Sequence, residues 1–211
     1  MSRKKDTYYD AYNFRIAQLV ENGNKVLDIG CATGRLLEYL QNEKSCEVKG
    51  IEVDCAMAKE AQERCKDVAC LDIESCNSLP FEKNYFDVVI FADCLEHLKR
   101  PDLVLKTIIP YLKKSGILLV SLPNIAFLSV RLGLLFGNFN YTQYGLLDKT
   151  HLRFFTLKSA KNLIEGNGFK IIKIEGYNQV RARFFFVRPL GKIFKSLFAT
   201  DFIIKAALNN A

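Results

Sequence analysis

Apolar residues along this chain follow two rhythms: short unbroken runs, and longer stretches where they recur at helical spacing. Lys25–Ile29 (KVLDI), Val48–Val53 (VKGIEV), Val68–Ile73, Tyr85–Phe91 (YFDVVIF) and Gly116–Leu122 (GILLVSL) have strand length. Most of their positions are apolar where a half-exposed strand would alternate, which marks strands covered on both faces. Between them, Gly34–Leu40, Asp54–Cys65 and Asp102–Leu112 read as helices, the last opened by Pro101, where a first turn needs no N–H. Such alternation predicts an α/β chain with helices on both faces of a mostly parallel sheet, a Rossmann-like, doubly wound, three-layer α/β/α arrangement.

Beyond Leu122 the rhythm changes. Residues 123–150 read as an apolar insertion, helical over Pro123–Gly137. Thr156 is placed to cap a helix that Gly166 and Gly168 stop. Phe169–Tyr177 and Asp201–Leu208 complete the strands, separated by a Phe-rich, acid-free excursion at about residues 178–199. Within it Leu190, Ile193, Phe194, Leu197 and Phe198 fall on one helical stripe, with Arg181, Arg183, Arg188, Lys192 and Lys195 as its cations. The stripe either covers a sheet edge or acceptor pocket, or gives peripheral contact with an anionic membrane. Residues 1–211 are read as one domain carrying both additions.

The formal charge of +7 is unevenly placed, because 13 Lys/Arg and only 4 Asp/Glu lie from Pro123 onward. No apolar run approaches the ~20 residues a membrane helix needs. The charged first ten residues lack the apolar core of a signal peptide, so a cytoplasmic location is expected. The seven cysteines all precede residue 95, form no C-x-x-C pair and are odd in number. Reduced, mostly buried thiols are expected, with neither a disulfide framework nor a zinc site.

Ligands of open α/β sheets sit outside the carboxyl ends of the strands. The first such loop here is Asp28-Ile-Gly-Cys-Ala-Thr-Gly34, whose Gly30 and Gly34 permit a sharp turn close to a ligand. Glu52 ends the second strand, where a carboxylate can accept both hydroxyls of a ribose, and Asp72 is expected to end the third. A dinucleotide fingerprint would need glycine at 30, 32 and 35, whereas the chain has Ala32 and Arg35. A phosphate loop of the G-x-x-x-x-G-K-[ST] form is absent as well. Both absences favour a nucleoside with a zwitterionic arm over a diphosphate.

VLDIGCATG, GIEVD, CLDIES and YFDVVIFADCLEHL resemble the successive motifs of class I S-adenosylmethionine-dependent methyltransferases. The later segments SLPNIAFLSVRLGLLFGNF and LDKTHLRFFTLKSAKNLIEGNGFKI are similar to MetW-like and cell-surface-glycan-associated methyltransferases. The resemblance implies a seven-stranded sheet whose last strand inserts antiparallel, and S-adenosyl-L-methionine as cofactor. It places Asp28, Gly30, Cys31, Ala32, Thr33 and Gly34 against the methionine arm and Glu52 with Val53 at the ribose. Asp72 and Ile73 fall at the adenine, and Phe91 with Ala92 forms the fourth-strand wall. Ala32 stands where the family usually has glycine.

Methyl transfer from a sulfonium needs an aligned acceptor and, for a hydroxyl, removal of its proton. The only two histidines, His97 and His151, lie in segments expected at the open end of the sheet. Glu96 precedes His97, with Lys99 and Arg100 within pairing range; Asp93 and Glu96 would share a side with His97 on a helix. His97, His151 and Glu96 are the candidate catalytic groups. DCLEH followed by a distant TH is also similar to ubiquinone-type O-methyltransferases, which implies a divalent-ion set of Asp93, Glu96, His97 and His151. Cys31 lies near a helix N-terminus, which lowers a thiol's pKa, but its small size is the preferred reason for its presence in the loop. The expected function is O-methylation of a small molecule or a glycan or lipid-linked intermediate. The alternative is a non-catalytic cofactor-binding partner subunit. Nucleic acid is not an expected partner, because the basic excess is interleaved with Phe and Leu.

Overall fold

The computed structural model describes residues 13–178 and 195–209. Its core is a seven-stranded sheet in the order β3-β2-β1-β4-β5-β7-β6. The strands are β1 Lys25–Ile29, β2 Glu47–Glu52, β3 Val68–Cys70, β4 Phe86–Ala92, β5 Leu112–Pro123, β6 Phe169–Tyr177 and β7 Asp201–Leu208. The described helices are α1 Phe14–Gln18, α2 Arg35–Lys44, α3 Cys55–Arg64, α4 Pro101–Ile108, α5 Leu128–Leu135, α6 Leu157–Glu165 and α7 Lys195–Phe198. β1 pairs in parallel with β2 and β4, and β4 with β5. β7 runs antiparallel to both β5 and β6, as the resemblance implies.

Residues of opposite parity feed the two layers. Leu27, Ile29, Val89, Phe91, Leu118 and Val120 join one buried cluster, while Val26, Val88, Ile90 and Leu119 join the other. Each central strand therefore has apolar neighbours above and below, which is why its sequence shows no alternation. The chain steps outward from β1 through β2 to β3, then returns to place β4 on the other side of β1. This reversal puts the switch point at the carboxyl ends of β1 and β4, where ligands of open α/β sheets sit. Asp54 sharpens the adjacent corner by accepting from the Ala56 and Met57 N–H groups at the start of α3. Thr156 and Ser159 close a capping box on α6, as the sequence predicts for Thr156.

Four expectations need correction. β3 stops at Cys70, and Asp72 instead accepts from Glu74 N–H and Ser75 Oγ–H at the head of a 3-10 turn over Ile73–Ser75. That short strand pairs only with β2, at the sheet edge. α4 ends at Ile108, because Pro110 lies in the next 3-10 turn and cannot donate to a continuing helix, so β5 begins at Leu112. The insertion is helical only over Leu128–Leu135; residues 136–155 are mostly turns and irregular chain. Cys55 and Cys70 form a disulfide with Cα atoms 5.2 Å apart, whereas Cys31, Cys46, Cys65, Cys76 and Cys94 are free. The strand-end geometry brings the pair together across a separation of 15 residues, which spacing alone does not disclose.

Most of the basic excursion, residues 179–194, lies outside the described residues. Of its stripe, Leu197 and Phe198 on α7 are half-buried. Asn124, wholly buried, ties α7 to the end of β5: its Nδ2 donates to the Ser196 and Ala199 carbonyls at 3.0 and 2.7 Å. No described helix is long and apolar enough to cross a membrane.

Candidate active site

The loop after β1 crosses the carboxyl end of the sheet with three residues at positive φ, Gly30 (76°), Ala32 (47°) and Gly34 (80°). A Cβ on Gly30 would meet Cys94 Sγ at 2.9 Å, and one on Gly34 would meet the Ala61 Cβ at 2.9 Å. Both positions thus combine left-handed backbone with close approach, and only glycine serves there. Ala32 tolerates its positive φ with help from Glu52, whose Oε2 accepts the Ala32 N–H at 2.9 Å. Glu52 Oε1 accepts the Asp54 N–H at 2.9 Å, so this one carboxylate joins the first loop to the end of β2. Each oxygen keeps a lone pair for a further donor.

Asp28 is 2% exposed, and its Oδ1 has no partner. Burial, and then the Glu52 carboxylate nearby, push its pKa up to about 7. An unpaired buried carboxyl beside a second acid is a place where a cation would be welcome. Cys31 is also buried, and the same two acids together with burial push its thiol up. Desolvation thus outweighs the helix terminus, and a buried, protonated thiol fits the reading of Cys31 as a small loop residue. Thr33 and Ile73 are buried, Val53 and Asp72 exposed, and Ala92 half-buried. Phe91 is wholly enclosed in the core. Hydrogen bonds from Ser75 and Glu74 hold the Asp72 carboxyl below its ordinary range.

The loop after β4 meets the first loop where Cys94 packs on Gly30. Leu95–His97 forms a 3-10 turn in place of the α-helix that would have aligned Asp93 with Glu96 and His97. Asp93, at φ 52°, turns to Ser121 on β5 and accepts its Oγ–H at 2.7 Å. Glu96 is 1% exposed and its Oε2 is unpartnered. Burial comes first, then Asp93, Asp201 and Asp148, in raising its pKa well above the usual carboxylate range. No described ion pair joins it to Lys99 or Arg100; Arg100 pairs with Asp102.

His151 reaches this turn because the Leu152 and Arg153 N–H groups donate to the Glu96 carbonyl at 2.8 and 3.0 Å. The two imidazoles stack edge-on with centroids 4.9 Å apart. Nitrogen and carboxylate oxygen atoms of Glu96, His97 and His151 all lie within 4.8 Å of one another. Of the four residues the metal-binding resemblance implies, Asp93 alone stays outside this group. Burial and the neighbouring His97 lower the His151 pKa, and its Nδ1 has no partner.

Two contributors that the sequence reading does not single out are Thr150 and Asp148. His97 Nδ1 lies 3.2 Å from the Thr150 carbonyl and 3.3 Å from its Oγ. The Thr150 hydroxyl donates its one proton to Asp148 Oδ1 at 2.7 Å, so both oxygens facing His97 are acceptors. The network assigns the proton to Nδ1 and leaves the lone pair on Nε2. Asp148, two residues before Thr150, also accepts the Thr150 N–H at 2.8 Å. An Asp-x-Thr turn beside a histidine is the one local clue to this arrangement.

A family model described as a methyltransferase domain matches residues 3–174. The chain is 29% identical over 102 residues to phosphoethanolamine N-methyltransferase 1 of Arabidopsis thaliana, covering 47% of this chain and 21% of that one. It is 27% identical over 205 residues to an uncharacterized protein of Methanocaldococcus jannaschii, covering 89% and 75% respectively. The chain thus spans about a fifth of the plant enzyme's length and three-quarters of the archaeal protein's. Among solved structures, a SAM-dependent methyltransferase from Archaeoglobus fulgidus is similar with a TM-score of 0.66 and 26% identity, covering 92% of this chain and 90% of that one.

Proposed function

The chain belongs to the methyltransferase-domain family and is S-adenosylmethionine-dependent; from that premise we propose that it methylates a hydroxyl oxygen of a small molecule or of a glycan or lipid-linked intermediate. The observation that carries the oxygen acceptor is His97, whose Nδ1 is held by Thr150 so that Nε2 is left as a base. A hydroxyl must lose a proton as it attacks, and a positioned imidazole contributes typically ~10²–10⁴-fold to such a step.

S-adenosylmethionine supplies an electrophilic methyl group on a cationic sulfonium. Several features of this chain suit it. The unpartnered Asp28 Oδ1 offers a carboxylate to the cationic arm, and Gly30 and Gly34 let the loop backbone close on that arm. Glu52 accepts the ribose hydroxyls with the lone pairs its two backbone bonds leave over. Val53, Asp72, Ile73 and Ala92 border the adenosine, and Phe91 backs Ala92 from the core. Cys31, Ala32 and Thr33 carry the loop backbone past the methionine arm. Across from it, His97 removes the acceptor's proton, His151 packs edge-on to hold its ring, and the protonated Glu96 carboxyl favoured by burial donates a hydrogen bond to acceptor oxygen. The enzyme works in the cytoplasm on this reading.

Incubation of the protein and a cell extract with S-adenosylmethionine labelled at the methyl carbon tests the proposal. The carbon chemical shift of the transferred methyl separates an O–CH₃ from an N–CH₃ product. An N-methyl product overturns the oxygen acceptor. Cofactor binding by calorimetry without any transfer favours the non-catalytic subunit.

A second reading rests on the three-residue cluster. Glu96 Oε2 and His151 Nδ1 both lack partners and converge with His97, an O/N set suited to a divalent cation that would anchor an acceptor with adjacent oxygens. Calorimetric titration with Mg²⁺, Mn²⁺ and Zn²⁺ distinguishes the two, since the general-base reading expects no heat of binding at this cluster.

A further inference from the structure

The methyl-transfer site opens beside a surface that has the chemistry of a lipid interface. α5 buries only Val130 and exposes Leu132, Leu134 and Leu135, with Leu135 at 75% and the following Phe136 at 76% exposure. Tyr141 and Leu152 extend the exposed apolar surface along the same loop. A soluble surface rarely shows so much contiguous apolar chain unless something covers it.

Charge identifies the occupant. Between residues 123 and 164 the chain has five cations, Arg131, Lys149, Arg153, Lys158 and Lys161, and all are exposed. Its single acid there, Asp148, is buried against Thr150, and the next, the exposed Glu165, closes α6 four residues after Lys161. None of the five cations takes part in a described ion pair. An apolar patch that shares its helix and loop with Arg131, Lys149 and Arg153 complements an anionic phospholipid surface, where apolar side chains enter the acyl boundary and basic ones meet the headgroups.

The patch also leads to the site. Phe139 stacks on Tyr141 at 5.5 Å and on Phe154 at 5.7 Å, and Phe154 lies 6.2 Å from the His151 ring. Apolar rings therefore run from the exposed loop to the candidate catalytic pair. We propose that α5 and the loop after it dock this chain on an anionic bilayer, so that the His97–His151 site meets an amphiphilic acceptor at the lipid surface. The docking stands on the surface alone; only the choice of an amphiphilic acceptor rests on the methyl-transfer reading above.

Co-sedimentation of the whole chain with phosphatidylglycerol-containing vesicles tests it, with pure phosphatidylcholine vesicles as control. The expected result is binding to the anionic vesicles that weakens with salt. The double variant Leu135→Ser/Phe136→Ser is expected to bind at least about tenfold more weakly, and so is Arg131→Glu/Lys149→Glu. Both pairs are exposed, so retained S-adenosylmethionine binding by calorimetry confirms that the variants fold. Protein that stays in the supernatant at low salt, or variants that bind as well as the parent, overturn the docking. Vesicle binding without cofactor binding would instead sink the methyl-transfer reading and leave the docking surface intact.

Discussion

His97 is held by a residue 53 positions further along the chain: its Nδ1 sits 3.2 Å from the carbonyl oxygen of Thr150 and 3.3 Å from the Thr150 hydroxyl. The carbonyl fixes the tautomer, and the hydroxyl, its proton committed to Asp148, stiffens the ring. Removing the base by His97→Ala is expected to lower kcat by ~10²–10⁴-fold with little change in cofactor affinity. Thr150→Val keeps the carbonyl and loses only the hydroxyl, so a smaller fall of roughly tenfold is expected, about the worth of one hydrogen bond to an oriented group. Steady-state kinetics beside calorimetry of S-adenosylmethionine binding checks both. Equal losses in the two variants would mean that the loop collapses without Thr150 and that tautomer control is not its role.

Asp28 makes stability depend on pH in a defined direction. Its carboxyl titrates near 3.8 when the chain is unfolded and at about 7 when folded. Between those values the unfolded state binds fewer protons than the native one, so this group lowers stability as pH rises from about 4 to 7. The cost is absent below that window and complete above it. Asp28→Asn removes it, at up to about 4 kcal/mol for three units of displacement. Melting curves are expected to coincide near pH 4 and to separate in favour of the variant by pH 8. The same variant is expected to bind S-adenosylmethionine more weakly, since the sulfonium arm loses its carboxylate. A stability gain that did not vary with pH would show that Asp28 is ionised in the native state.

The parallel strands are legible in the sequence because burial on both faces removes alternation, as in Tyr85–Phe91. The site loop is legible because Gly30 and Gly34 stand where a strand must turn sharply into a helix. The antiparallel insertion of β7 is available only through family resemblance, since DFIIKAAL reads the same in either direction. The sequence carries the expected third strand on to Ile73 because Leu71 and Ile73 continue the apolar run, whereas the paired strand ends at Cys70 and leaves Asp72 outside it. Thr150 and Asp148 act through a turn and Asn124 through a buried network, and none of these leaves a periodic trace. At Cys31 a helix N-terminus is visible in the sequence, and the burial that outweighs it is not.

Gly30 offers a test of how tightly the two site loops mesh. Gly30→Ala must place a methyl 2.9 Å from Cys94 Sγ while keeping a φ of 76°. The backbone term alone costs about 1 kcal/mol or more. Cys94→Ala should restore only the steric part, because the Cys94 Cβ would still be 3.3 Å away and φ is unchanged. The double variant is therefore expected to melt between the parent and Gly30→Ala. Full recovery would mean that strain at Gly30 is entirely side-chain crowding, and the loop could then dispense with glycine.

The Cys55–Cys70 bond joins the two edges of the nucleoside side. Cys55 starts α3 three residues after Glu52, and Cys70 ends β3 two residues before Asp72. β3 is the short outermost strand on that side of the sheet and pairs only with β2, so the disulfide adds a covalent hold to the bond that Leu71 N–H donates to the Glu52 carbonyl at 2.9 Å. A cross-link between residues 15 apart restrains the unfolded chain by about 3 kcal/mol in the loop-entropy account. Both cysteines are exposed, so a small dithiol can reach the bond. Dithiothreitol is expected to lower the melting temperature of the parent by several degrees and to leave Cys55→Ser/Cys70→Ser unmoved. Reduction is also expected to weaken S-adenosylmethionine binding, because the span between Glu52 and Asp72 would then rest on the Leu71–Glu52 backbone bond without the covalent link. A parent protein whose melting and cofactor affinity ignore the reductant, with both thiols shown free by mass spectrometry, would assign Cys55 and Cys70 no part in shaping the site.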